Sequence, residues 1–113
     1  MAAAYQDQYM EQGATFNLEI NLDDDTGAPL NLNGYTIESK AKRSYYSANA
    51  TIVFNTTITD AANGVVRIYA DANTTSNVPY GKLVYDVLVT ETNNNTKIRV
   101  LEGTILVSPS VTN

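Results

Sequence analysis

Phe16, Leu18, Ile20 and Leu22 alternate with Asn17, Glu19 and Asn21. A period of two separates an apolar from a polar face only when the chain is extended. The pattern returns at Tyr35, Ile37, Ser39 and Ala41, which alternate with Thr36, Glu38, Lys40 and Lys42. Thr51 to Thr59, Val65 to Ala70, Lys82 to Thr90 and Lys97 to Val107 are rich in β-branched and aromatic residues, the types that pack well on a pleated surface. No segment sustains a period of 3.6, so helices cannot supply the frame. Turn chemistry punctuates the runs: Asp23-Asp24-Asp25-Thr26-Gly27, Asn33-Gly34, Asp60-Ala61-Ala62-Asn63-Gly64, and Glu91 to Thr96. Leu30-Asn31-Leu32 is a short strand or corner, Ser44 to Ala50 a loop, and Thr74 to Gly81 a polar connection. Gly103 interrupts the last run and predicts a bulge or bend there. About seven strands separated by turns predict an all-β, two-sheet antiparallel β-sandwich, with a closed barrel as the alternative.

A chain of 113 residues has the size of one domain. The segment before Thr15 is polar and lacks the strand pattern, so residues 1–12 are expected as an N-terminal arm and residues 13–113 as the sandwich. The 43% hydrophobic content is enough for a packed core. A net charge of −5 argues against nucleic acid as a partner. The charge is unevenly spread: residues 1–39 hold seven acids and no base, residues 40–113 five acids and seven bases, hence −7 against +2. Such a split lets copies pack acidic face to basic face, or averages out if the strands interleave. No basic and apolar leader opens the chain, which reads as having no secretory signal. No run approaches the ~20 apolar residues that cross a bilayer, so no membrane partner is expected.

The chain contains no His and no Cys. That removes the commonest general base and the ligands of a zinc site. Neither standard Gly-rich phosphate pattern occurs. Two carboxylates suffice for glycoside hydrolysis, but the acids lie in turns or on polar strand faces. The expectation is therefore no enzyme, no catalytic residue and no cofactor. Asp23 and Asp25 match the first two positions of a calcium loop, yet Gly27 falls one place early and Gly34 stands where the final Glu belongs. They are weak metal candidates, and a plain turn is the better reading. Asp86 lies in the densest strand, where an unpaired buried carboxylate would be costly. A structural ion pair with Arg43, or with Lys40, is expected; if partly buried, removing one partner would cost on the order of 3–5 kcal/mol. Tyr5, Tyr9 and Met10 in the arm and Tyr45-Tyr46 in the loop are not needed by the core pattern. Tyr and Met are favoured in interfaces, so these five are the candidate assembly contacts.

Order and spacing add a further reading. The succession runs Gly13-Ala14-Thr15-Phe16-Asn17-Leu18-Glu19-Ile20, then Asp25-Thr26-Gly27-Ala28-Pro29-Leu30-Asn31-Leu32-Asn33-Gly34-Tyr35-Thr36-Ile37. It continues with Asp60 through Gly64-Val65-Val66-Arg67-Ile68, Tyr80-Gly81-Lys82-Leu83-Val84-Tyr85-Asp86-Val87, and Leu101-Glu102-Gly103-Thr104-Ile105-Leu106-Val107-Ser108-Pro109-Ser110-Val111-Thr112. It resembles small immunoglobulin-like structural domains of tailed bacteriophages, notably the N-terminal domain of baseplate upper proteins and related short virion proteins. The resemblance covers about Gly13 to Thr112 and rests on generic β grammar in a particular order. It implies an immunoglobulin-like sandwich in the virion, made in the host cytoplasm. The implied role is a non-enzymatic tail or baseplate part whose partners are other virion proteins and its own copies. It carries over no catalytic or binding residue. The alternatives are a capsid decoration or head-surface protein, and a carbohydrate- or cell-surface-binding sandwich. Glycan binding is not favoured, and it would require exposed aromatics grouped on one face.

Overall fold

A computed structural model describes residues 4–24 and 26–109. Among them are nine strands: β1 (Ala4–Tyr5), β2 (Gln8–Glu11), β3 (Phe16–Asn21), β4 (Tyr35–Lys42), β5 (Ile52–Val53), β6 (Asn55–Asp60), β7 (Val65–Ala70), β8 (Gly81–Glu91) and β9 (Lys97–Ser108). A five-residue helix, α1 (Ala72–Ser76), lies between β7 and β8. The larger sheet has the order β1-β9-β8-β4-β5, with β2 also on β9; the smaller is β3-β7-β6. Phe16, Ile20, Val66 and Ile68 from the small sheet share one core with Ala41, Leu83, Val87, Leu101 and Ile105 from the large one. The period-two strands thus bury their apolar faces against each other, as two-layer packing requires.

The β-branched run from Thr51 serves both sheets. Ile52-Val53 pairs with Lys40-Ala41 of β4, whereas Asn55 to Asp60 pairs with β7. The change of sheet falls at buried Phe54, whose N–H donates to the Ser39 carbonyl (3.0 Å) and whose ring packs 5.6 Å from Phe16. One continuous sequence signal therefore yields two strands. Leu30 to Leu32 forms no strand; Asp23 and Pro29 make an isolated bridge instead.

The N-terminal segment departs most from expectation. Residues 4–11 are not an arm outside the sandwich but an edge strand, paired in parallel with β9. Ala4 faces Leu101 and Gln8 faces Ile105, the same offset, so β1 and β2 are one strand interrupted at Gln6-Asp7. Met10 is 2% exposed and belongs to the core. Burying it removes a large apolar side chain from water, and the strand covers an edge that β9 would otherwise leave open.

Gly103 does not mark the bulge. It pairs in register with Tyr85, and the extra residue is Val100, between the Val87–Leu101 and Leu88–Arg99 pairs. Gly103 is required for a different reason: a Cβ there would collide with the Gln6 carbonyl and press on the Tyr85 ring. The absent side chain lets the N-terminal strand cross.

The helix α1 arises from capping. Asp71 accepts from the Thr74 N–H at 2.8 Å, and buried Thr75 donates to the Ala14 carbonyl at 2.8 Å. A polar connection is thereby tied to the turn after β2.

Candidate functional site

The outward face of the large sheet gathers most of the singled-out residues. Lys40 of β4, Asp86 of β8, Glu102 of β9 and Tyr5 of β1 stand in register across it. The neighbouring row is Glu38, Leu88 and Arg99. The β9 bulge makes this arrangement. Leu101 faces the core, so Arg99, two residues away, would also point inward in a regular strand. The extra Val100 turns Arg99 outward beside Asp86.

Asp86 consequently pairs with Arg99 (Nε to Oδ2, 3.3 Å), and not with Arg43. Arg43 follows the end of β4, beyond Lys42, whereas the cross-strand partner of Asp86 on that side is Lys40. Arg99 also meets Glu102 at 3.5 Å, and Lys97 meets Glu38 at 3.4 Å. The Asp86 and Arg99 side chains are 33% and 52% exposed. Solvent screens a pair placed there, so it is not the buried bridge that the sequence suggests.

Alternation along the N-terminal strand sends Tyr5, Asp7, Tyr9 and Glu11 outward and Met10 inward. Tyr5 and Tyr9 are exposed, the latter alongside Leu106 of β9. An Asp7 carboxylate oxygen accepts from the Thr104 hydroxyl (2.7 Å) and N–H (3.2 Å). These bonds hold its carboxyl below the usual range, the hydroxyl bond most strongly. Tyr5 is raised, chiefly by its hydrogen bond to Asp7, with a smaller push from Tyr45. Beneath them the Tyr85 hydroxyl donates to the Gln6 carbonyl at 2.6 Å, and burial raises its pKa.

Beside Tyr45 the sheet face sinks into an open hollow of about 260 Å³. Val84 and Leu88 contribute apolar surface, and Lys40, Lys42 and Arg99 supply cations. Of the five expected assembly residues, Tyr5, Tyr9 and Tyr45 therefore share this face. Met10 is in the core, and Tyr46 projects almost fully exposed from the loop. The contributions of Arg99, Leu106 and Lys42 were not legible as a site, because cross-strand register assembles them. The alternation Tyr5, Asp7, Tyr9, Glu11 was the one signal in the chain that could have shown the arm to be a strand.

The acidic turn is organised by Asp24. Its Oδ1 accepts from Thr26 N–H (2.9 Å), Thr26 hydroxyl (2.6 Å) and Ala28 N–H (3.1 Å). Those bonds hold Asp24 below its ordinary value, the Thr26 hydroxyl most of all. Asp23 is exposed, and Asp25 lies outside the described residues. Among the described residues no three metal-ligating side chains converge. No helix among them is long and apolar enough to cross a membrane.

No family model matches the chain, and no curated protein matches it. A solved family 123 glycoside hydrolase from Clostridium perfringens is similar at 15% identity with a TM-score of 0.43. The match covers 97% of this chain but only 24% of that enzyme, and so weak a likeness carries no argument about activity.

Proposed function

We propose that this chain is a non-enzymatic assembly domain of a tailed-bacteriophage virion, working through protein contacts at the tail or baseplate. The observation that carries the reading is the outward face of the large sheet. It displays Tyr5, Tyr9 and Tyr45 with Leu106 among cations, a composition suited to an interface. Asp86 and Glu102 on that face are engaged by Arg99, Glu38 by Lys97 and Asp7 by Thr104, which leaves these four carboxylates poorly placed for acid–base work. Strand order supports the immunoglobulin-like part of the reading. The succession β3-β7-β6 facing β9-β8-β4 follows the B-E-D and G-F-C orders of such sandwiches.

Cryo-electron microscopy of the particle containing this chain tests the proposal. The chain should occupy repeated positions at the tail or baseplate, with Tyr5, Tyr9 or Tyr45 at a protein contact. Density on the head surface would favour the decoration alternative, and absence from the particle would overturn the virion role. The same grouping of exposed tyrosines favours a second reading, a glycan-binding face. Nuclear magnetic resonance titration with oligosaccharides tests it: shifts confined to the Tyr5, Tyr9 and Tyr45 neighbourhood would support that reading.

A further inference from the structure

The strands run so that an acidic turn and a cationic hollow lie in different parts of the molecule. Residues 22–24 and 26–34 gather at one end with turns 60–64 and 91–96, laced by Leu22 N–H to Gly64 carbonyl (2.8 Å), Leu32 N–H to Ala61 carbonyl (2.7 Å) and Thr92 N–H to Gly34 carbonyl (2.9 Å). That end presents Asp23, Asp24 and Asp60, within an Asp-Asp-Asp sequence and its neighbouring turn. The cationic hollow lies away from it, toward the opposite ends of β4 and β8, where Lys42 faces Val84. Inside the hollow Asp86 is engaged by Arg99. Among the described residues neither Lys40 nor Lys42 has an ion-pair partner. A chain of net charge −5 thus keeps a positive, partly apolar depression on one sheet and an acidic turn at one end, in a body 43 Å long and 23 Å thin.

We propose that the hollow bounded by Lys40, Lys42, Tyr45 and Arg99 receives the Asp23-Asp24 turn of a second copy, joining the chains head to tail. The inference deepens the assembly reading and rests on it. Complementary charge selects the occupant: the turn supplies carboxylates, the lysines supply uncommitted ammonium groups, and Tyr45 covers the contact. Because the two surfaces differ, the contact is heterologous and extends to a row or closes to a ring. Coulomb attraction between exposed groups makes it sensitive to salt.

Sedimentation of the full chain tests this directly. At low ionic strength the average mass should rise with protein concentration, and high salt should reverse the rise. Lys40→Gln with Lys42→Gln, or Asp23→Asn with Asp24→Asn, should each weaken self-association by about tenfold or more. Asp24→Asn retains an oxygen acceptor for Thr26 and Ala28, and a single cooperative thermal transition in each variant, somewhat lowered for Asp24→Asn by loss of the charge, would show that both fold. An equimolar mixture of the two should form pairs and stop there, since one partner contributes the only intact hollow and the other the only intact turn. Variants that associate as the natural chain does, a mixture that remains monomeric, or association indifferent to salt would each overturn the proposal. A monomeric chain that binds a polyanionic oligosaccharide through Lys40 and Lys42 would overturn it in favour of a glycan. The assembly reading fails on a different result, absence of the chain from the particle.

Discussion

At the scale of single residues, the decisive position is Gly103. Its value lies in the space above it, where the Gln6 carbonyl passes and accepts from Tyr85. Gly103→Ala should displace the N-terminal strand and destabilise the fold by at least ~1–3 kcal/mol, the usual cost of overpacking. Tyr85→Phe keeps the ring but leaves the Gln6 carbonyl without its donor, at a cost of ~1–3 kcal/mol. Chemical denaturation of both variants measures this, and a midpoint unchanged for Gly103→Ala would refute the crossing. Asp86→Asn should behave quite differently. With its partner half exposed, the Asp86–Arg99 pair contributes ~0–1 kcal/mol, and Arg99 keeps Glu102 after the change. A loss approaching the 3–5 kcal/mol of a broken buried pair would show that the outward face is covered in the native state.

At the scale of elements, the N-terminal strand is the one whose role changes most. It is held by parallel pairing to β9 and by Met10 in the core. Met10→Ala should therefore cost ~2–5 kcal/mol, as other large-to-small core changes do, whereas Tyr9→Ala on the opposite face should stay within about 0.5 kcal/mol. Thermal unfolding of the two variants side by side decides between an edge strand and a loose arm, for which both changes would be mild. Removing residues 1–12 should also open the edge of β9 to other chains, so the truncated protein should aggregate on warming. Such a truncation cannot serve as a clean probe of self-association, because it removes part of the sheet.

At the scale of the whole molecule, titration should limit stability on both sides of neutrality. Asp7, Asp24 and Asp71 are all held below the ordinary value of 3.8, mainly by bonds from Thr104, Thr26 and Thr74 respectively. Their contribution is complete above that value and disappears as pH falls below it through their lowered values. Tyr85 is raised above 10.0 by burial. Its neutral form is favoured in the fold, so its contribution is complete below pH 10.0 and is lost as pH rises beyond it. Thermal midpoints measured across pH should fall at both extremes. Tyr85→Phe should flatten the alkaline limb and Asp24→Asn the acid limb; limbs unchanged by these substitutions would remove the groups from the account.

Local chemistry by itself determined that this chain is built of strands, where most of them turn, and, in the two most regular runs, which residues face the core. Alternation at Phe16 to Leu22 and Tyr35 to Lys42, and turns at Gly34 and Gly64, are short-range facts, since side-chain direction and backbone φ follow from neighbouring residues. Local chemistry also marked Tyr5, Tyr9, Met10, Tyr45 and Tyr46 as surplus to a core, which the structure overturns for Met10. Only the tertiary structure decided that residues 4–11 belong to the sheet, that the run from Thr51 divides between two sheets at Phe54, and that Asp86 pairs with Arg99. Each of these depends on contacts between residues far apart in the chain. Parallel pairing of the first strand with the last leaves no local turn to announce it, and a one-residue bulge at Val100 reverses which face Arg99 occupies. The candidate surface is legible as residue types and illegible as a place, because cross-strand register alone brings Lys40, Asp86, Glu102 and Tyr5 into one row.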